Sequence, residues 1–190
     1  MGLMIHSLGE IPAHAERDYY LYLLDYGWEE PIRDSLFANF GNMADRASRT
    51  NSVVFRGTVG HHFSDEVLSW HNVNGIDGEN CLPAILITTR NPNEFRDADR
   101  NSRNSIDHNL LLIPIKDICK TATDVVNLVE KIFNDIENKK ALKDFGVVTE
   151  IKAGKSRSIV DALILQPNIS GVGVDLKKII EFFKPKQGSH

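Results

Sequence analysis

Cysteine is scarce in this chain. The two that occur, Cys81 and Cys119, stand apart in apolar surroundings, without the close spacing of a zinc knuckle or a redox pair. That excludes a disulfide framework and a thiolate metal centre as organising elements, and both thiols are expected to be buried. Long hydrophobic runs are missing too: no stretch approaches the ~18 apolar residues that mark a membrane-spanning helix, and the N-terminus lacks the basic-then-apolar layout of a secretory signal. A reducing cytoplasm is the expected setting. Charge of one sign is also lacking. Lys and Arg number 22 against 26 Asp and Glu, for a formal charge of −4 and a pI near 6.0, which argues against binding nucleic acid by phosphate neutralisation. The sequence contains no Gly-x-x-x-x-Gly-Lys-[Ser/Thr] loop, no Gly-x-Ser-x-Gly elbow and no Gly-x-Gly-x-x-Gly fingerprint; Gly171-Val172-Gly173 reads as a turn. No internal repeat or low-complexity segment is present.

What is there is an ordinary globular balance, with 42% hydrophobic and 25% charged residues. A chain of 190 residues buries roughly 70% of its unfolded surface, enough for one core without metal or disulfide support. One α/β domain with a C-terminal β/α extension, from residue 139 to about 185, is expected. Tyr19 to Asp25 is a nearly continuous apolar run, which suits a strand buried on both faces. After it, Ile32, Leu36, Phe37, Phe40, Met43, Ala44 and Ala47 recur at helical spacing, with Pro31 in the first turn. Ser52 to Phe55 reads as a second strand. A weaker helix follows from about Ser64, a plausible N-cap, to Val73.

Pro83 precedes a third strand, Ala84 to Thr88, and Leu110 to Ile115 forms a fourth. Between them a polar segment, Asn91 to His108, interleaves arginines with acids and reads as solvated; a helix within it would allow the flanking strands to run parallel. Thr121 to Asn138 makes a long helix with a capping-box-like Thr121-x-x-Asp124 start. Val147 to Ile151 and Ile159 to Leu165 read as strands, and Asp175 to Phe183 as a short helix.

Tyr26-Gly27-Trp28-Glu29-Glu30-Pro31-Ile32 sits where the first strand hands over to the helix. It resembles the Trp-Cys-Gly-Pro-Cys element of the thioredoxin superfamily, with Glu29 and Ile32 at the two cysteine positions. The order strand, helix, strand, helix, strand, strand, helix, with Leu82-Pro83 ahead of the third strand, is also similar to that superfamily over about Tyr19 to Asn138. The resemblance implies a mixed sheet flanked by helices and a cis proline facing the start of the first helix. Without the cysteines, which a helix N-terminus activates by lowering a thiol pKa to about 7, it implies no redox activity. The expectation is a non-catalytic recognition or assembly module that takes a protein or peptide partner at Trp28, Glu29, Glu30, Leu82 and Pro83, with no cofactor.

Two other patterns carry chemistry. Glu150-Ile151-Lys152 matches the Glu-x-Lys half of the PD-(D/E)xK nuclease pattern, with Asp144 as the preceding acid. That alternative is a metal-dependent phosphodiesterase or nuclease acting on nucleic acid with Mg or Mn. The short spacing leaves little room for the hairpin that separates the two acids in those enzymes, and Glu-x-Lys also arises by chance at an exposed edge. His61, His62, Glu66 and His71 are the densest set of possible metal ligands or acid-base groups. On a helix His61 faces Asp65 and His62 faces Glu66, but a metal would need a further ligand from elsewhere. A charged, solvated first helical turn is the preferred reading of these residues.

Overall fold

The computed structural model describes residues 1–27, 30–71, 73–74, 81–97, 110–152, 163–165 and 174–175. In chain order the strands are β1 (Gly2–Ile5), β2 (Tyr19–Leu24), β3 (Ser52–Gly57), β4 (Val73–Asn74), β5 (Ala84–Thr88), β6 (Leu110–Pro114), β7 (Leu163–Leu165) and β8 (Val174–Asp175). The helices are α1 (Pro31–Ala38), α2 (Phe40–Arg49), α3 (Gly60–Trp70), α4 (Pro92–Asp97), α5 (Ile115–Ile118), α6 (Ala122–Glu137) and α7 (Gly146–Lys152).

Six strands form one mixed sheet in the order β1-β3-β2-β5-β6-β7. β1 and β2 both run parallel to β3, whereas β5, β6 and β7 each lie antiparallel to the preceding neighbour. β4 and β8 make a separate two-stranded parallel ribbon. Period-two alternation divides the sheet's side chains between two cores. Leu21, Leu23, Val54, Ile85, Ile87, Leu111 and Ile113 pack with α1, α2, α6 and α7. Tyr20, Tyr22, Leu24, Phe55, Leu86 and Leu112 pack with Leu8, Phe63, Val67 and Phe95 on the other face. Burial on both sides explains the unbroken apolar run of β2. β1 was not evident in the sequence. Its four residues show no alternation long enough to register, and only the pairing with β3 makes them a strand.

Several expected elements change form. The helix after β2 is two pieces meeting at Asn39, whose Nδ2 donates to the Ser35 carbonyl at 2.8 Å; a side-chain amide competing for a helical carbonyl favours such a break. α3 starts at Gly60, so Ser64 is not a cap. It is buried within the helix, its hydroxyl donating to the Asp25 carbonyl at 2.8 Å and accepting from the Asp25 N–H at 2.9 Å. The Asn91 to His108 segment does contain a helix, α4, yet β5 and β6 are antiparallel. Its first residues are anchored, with Asn93 Nδ2 donating to the Ile11 carbonyl at 2.7 Å and Asn91 Nδ2 to that of Pro12 at 3.0 Å. Residues 98–109 lie outside the described residues, as does the expected C-terminal helix apart from Asp175, which belongs to β8.

α6 has the expected N-terminus: Thr121 Oγ1 accepts from Asp124 N, and Asp124 Oδ2 accepts from Thr121 N. The expectation of a strand from Val147 to Ile151 is corrected. These residues belong to the helix α7, because burial of Val147 and Val148 against α6 outweighs the strand preference of a β-branched run. The start of α7 is held from outside it. Gly146 N–H donates to Asp135 Oδ2 at 2.6 Å, and Lys140 Nζ reaches Asp135 Oδ1 at 2.6 Å. Asp135→Ala is expected to lower stability by about 2 kcal/mol, since a half-buried N–H and an ammonium both lose their acceptor. Urea unfolding of this variant beside Asp135→Asn, which keeps one acceptor oxygen and should lose less, measures the effect.

Candidate functional site

The antiparallel register of β2 on β5 pairs Leu24 with Ala84. The residues leaving β2 therefore meet those entering β5, and a cleft opens between them lined by Asp25, Tyr26, Glu30, Arg33, Leu82 and Pro83. Gly27 turns the chain with φ +83°, a conformation that favours glycine. Glu30, extended at φ −154°, then delivers Pro31 to the first turn of α1. Across the cleft the Leu82-Pro83 peptide bond is cis, and the Pro83 carbonyl accepts from Ile115 N at 2.9 Å, tying the loop to α5.

The charges in this cleft neutralise one another. Asp25 is 3% exposed, and a carboxylate buried at the end of an apolar strand needs a partner. Arg33 Nε supplies it at 2.8 Å, while Arg33 Nη1 reaches Asp34 at 3.0 Å. The same guanidinium lies 4.7 Å from the Phe37 ring centre, with Arg56 at 4.3 Å from that ring. Glu30 Oε1 pairs with Lys116 Nζ at 3.0 Å. The enclosed space of the cleft is about 10 Å³, room for about one water and far below the roughly 300–1,000 Å³ of small-molecule pockets.

Of the residues expected at a recognition surface, Glu30, Leu82 and Pro83 come together here; Trp28 and Glu29 lie outside the described residues. Asp25, Arg33 and Lys116 were not anticipated as members of the site. Asp25 alone carried a signal, as an acid closing a wholly apolar strand; the ion pairs of Arg33 and Lys116 depend on the packing of α1 and α5.

The described side chains of the histidine-rich segment do not assemble into one site. Glu66 accepts from the Ser7 hydroxyl at 2.7 Å and from Leu8 N at 2.8 Å, anchoring the N-terminal segment to α3. His62 is exposed, and the side chain of His61 lies outside the described residues. His71 is in the core, its ring centre 4.4 Å from that of Phe95 and 5.2 Å from that of Tyr22, with Nδ1 2.7 Å from the Val67 carbonyl. Among the described residues no group of three or more His, Cys, Asp or Glu side chains is arranged to hold a metal.

Asp144 ends a 3-10 turn, and Glu150 and Lys152 lie on α7. A strand would set positions 150 and 152 on one face, whereas helical positions two apart fall on different faces. Glu150 Oε2 pairs with Lys131 Nζ at 2.6 Å. Both cysteines are buried and neither is in a disulfide; burial pushes the Cys119 thiol up to about 11. Among the described residues no helix is long and apolar enough to cross a membrane. No protein-family model matches the chain, and no curated protein or solved structure is significantly similar to it.

Burial drives the His71 pKa down to about 4 from its ordinary 6.5. The unfolded chain thus takes up this proton near pH 6.5 while the folded chain refuses it until about pH 4, so the contribution of neutral His71 is complete above pH 6.5 and is lost as the pH falls toward 4. It amounts to about 3 kcal/mol over the whole window. Urea unfolding at pH 7 and pH 5 is expected to show a loss in the wild type that exceeds the loss in His71→Phe by about 2 kcal/mol; equal losses would mean that the imidazole is not buried neutral. The thiols give a second readout. A colorimetric disulfide reagent at neutral pH should titrate them only after denaturation, because a buried thiol held protonated is a poor nucleophile.

Proposed function

We propose that this chain is a thioredoxin-like domain without redox chemistry that recognises an extended segment of a protein partner at the cleft between the start of α1 and the Leu82-Pro83 loop. The observation that carries this reading is the meeting of Glu30, Arg33 and Pro83 around a narrow, open cleft whose charged groups are already paired. Groups committed to one another are poor acids, bases or nucleophiles, whereas the apolar Leu82 and Pro83 beside a polar rim suit recognition. The sheet order β1-β3-β2-β5-β6, with β1, β3 and β2 parallel and the last two antiparallel, supports the family reading, as does the placement of Pro83 across from the first helix. Glu29 and Ile32 at the cysteine positions support the loss of redox activity. An extended partner would gain affinity from main-chain hydrogen bonds and specificity from the cleft, with Trp28 as an apolar anchor.

Selection of a random peptide library on the immobilised chain, followed by fluorescence anisotropy, tests this. The expected ligands are extended peptides whose affinity falls at least about tenfold in both Trp28→Ala and Glu30→Lys, with melting temperatures near that of the wild type. Failure to select any peptide, or peptides that bind both variants undiminished, would overturn the proposal.

A further inference from the structure

Among the described residues three guanidiniums lie over aromatic rings, and two of them are neutralised by a carboxylate of this chain. Arg46 is 5.3 Å from the Phe133 ring centre and pairs with Glu137 at 2.7 Å; Arg33 is 4.7 Å from that of Phe37 and pairs with Asp25 at 2.8 Å. The third, Arg56, is 4.3 Å from the same Phe37 ring centre. Its Nε is buried and meets no acceptor, and among the described residues no carboxylate lies within ion-pair distance of it. Asp25 and Asp34 are both bonded to Arg33, and the cross-strand neighbours of Arg56, Met4 and Leu23, are apolar. A buried donor without an acceptor costs free energy, and more so when it belongs to a cation. Packing gives no reason to carry that cost. Position 56 alternates with Val54 on the sheet face that packs against Phe37 and Met43, where an apolar side chain would cover the ring with no charge to desolvate.

We propose that Arg56 receives an aspartate or glutamate carboxylate of the extended partner segment, which makes that partner an acidic peptide; the inference rests on the cleft reading above and names its ligand chemistry. Phe37 links the two places. Arg33 lines the cleft and lies against the ring that Arg56 also touches, so about three residues of extended chain reach from one guanidinium to the other. Arg56 is half-buried, which leaves part of its fork open to a ligand while the ring and the strand hold it in place. A carboxylate matches this seat in charge and in shape: one planar guanidinium takes one carboxylate through two parallel hydrogen bonds. A phosphate group, with nearly two charges, would face Asp25 and Asp34 around the same ring with one guanidinium to balance it, and the overall charge of −4 does not help to attract it.

Peptides selected from a random library on the immobilised full chain test this. Those selected on the wild type are expected to be enriched in Asp and Glu, and those selected on Arg56→Met are not. In fluorescence anisotropy, an acidic peptide should bind Arg56→Met at least tenfold more weakly than the wild type. Arg56→Lys, which keeps the charge and loses the fork, should fall between them. Replacing the peptide's acid by its amide should cost the same on the wild type and nothing further on Arg56→Met. Thermal unfolding separates this from a packing role: Arg56→Met is expected to melt no lower than the wild type, because it removes an unpaired charge and still covers Phe37. A melting temperature well below that of the wild type would show that the fold itself needs the guanidinium and would overturn the inference. Peptides that lose affinity in Trp28→Ala yet bind Arg56→Met undiminished, or that show no acidic preference, would also overturn it while leaving the cleft reading intact. A selection that yields no peptide would overturn both.

Discussion

The antiparallel pairing of β2 with β5, in the register that sets Leu24 opposite Ala84, is the constraint on which the rest of the molecule depends. It joins a parallel half of the sheet, β1, β3 and β2, to an antiparallel half, β5, β6 and β7. Because the side-chain period of a strand is two, a slip of one residue would exchange Leu21 and Leu23 with Tyr20, Tyr22 and Leu24 between the two cores. The tyrosines have a place on one side only: Tyr22 stacks on Phe55 at 5.3 Å and meets His71, while Tyr20 donates to the Ala15 carbonyl at 2.6 Å. The same register delivers Asp25 and the Leu82-Pro83 loop to one another, so packing and site have a common cause.

Buried polar groups then lock the layers onto this sheet. Ser64 joins α3 to the backbone leaving β2, Arg33 joins α1 to Asp25, Asn93 joins α4 to the N-terminal segment, and Asp135 joins α6 to α7. Each costs desolvation that is offset only when its partner is in place. Their value is in orientation. Hydrophobic burial alone would tolerate several placements of a helix on an apolar sheet, whereas a satisfied buried hydrogen bond accepts one.

Legibility in the sequence followed the range of the interactions. The end of β2, the strands β3, β5 and β6, and the cap of α6 were readable because apolar runs, Pro83 and the Thr121-x-x-Asp124 spacing act within a few residues. The helix α7 was misread as a strand: Val147, Val148 and Ile151 carry a local strand preference, and the groups that make them helical, Asp135 and the flank of α6, lie earlier in the chain. Ser64 looked like a cap and is a buried linker for the same reason. Of the site, Glu30, Leu82 and Pro83 were anticipated through a motif, and Arg33 and Lys116 were not, since nothing local distinguishes them from other surface cations.

From its residues alone the chain specified an α/β composition, two-sided burial of its central strand, one strong helix cap and the want of a paired-cysteine centre, because propensity, periodicity and side-chain chemistry are properties of neighbouring residues. Only the tertiary structure decided that β5 and β6 run antiparallel despite the long segment between them, that Gly2–Ile5 completes the sheet, that His71 is buried while Glu66 binds the N-terminal segment, and that Asp25 and Arg33 share a cleft with Pro83. These depend on contacts between residues far apart in sequence, whose energies exist once the sheet has set their separation and the surrounding side chains have removed water from them.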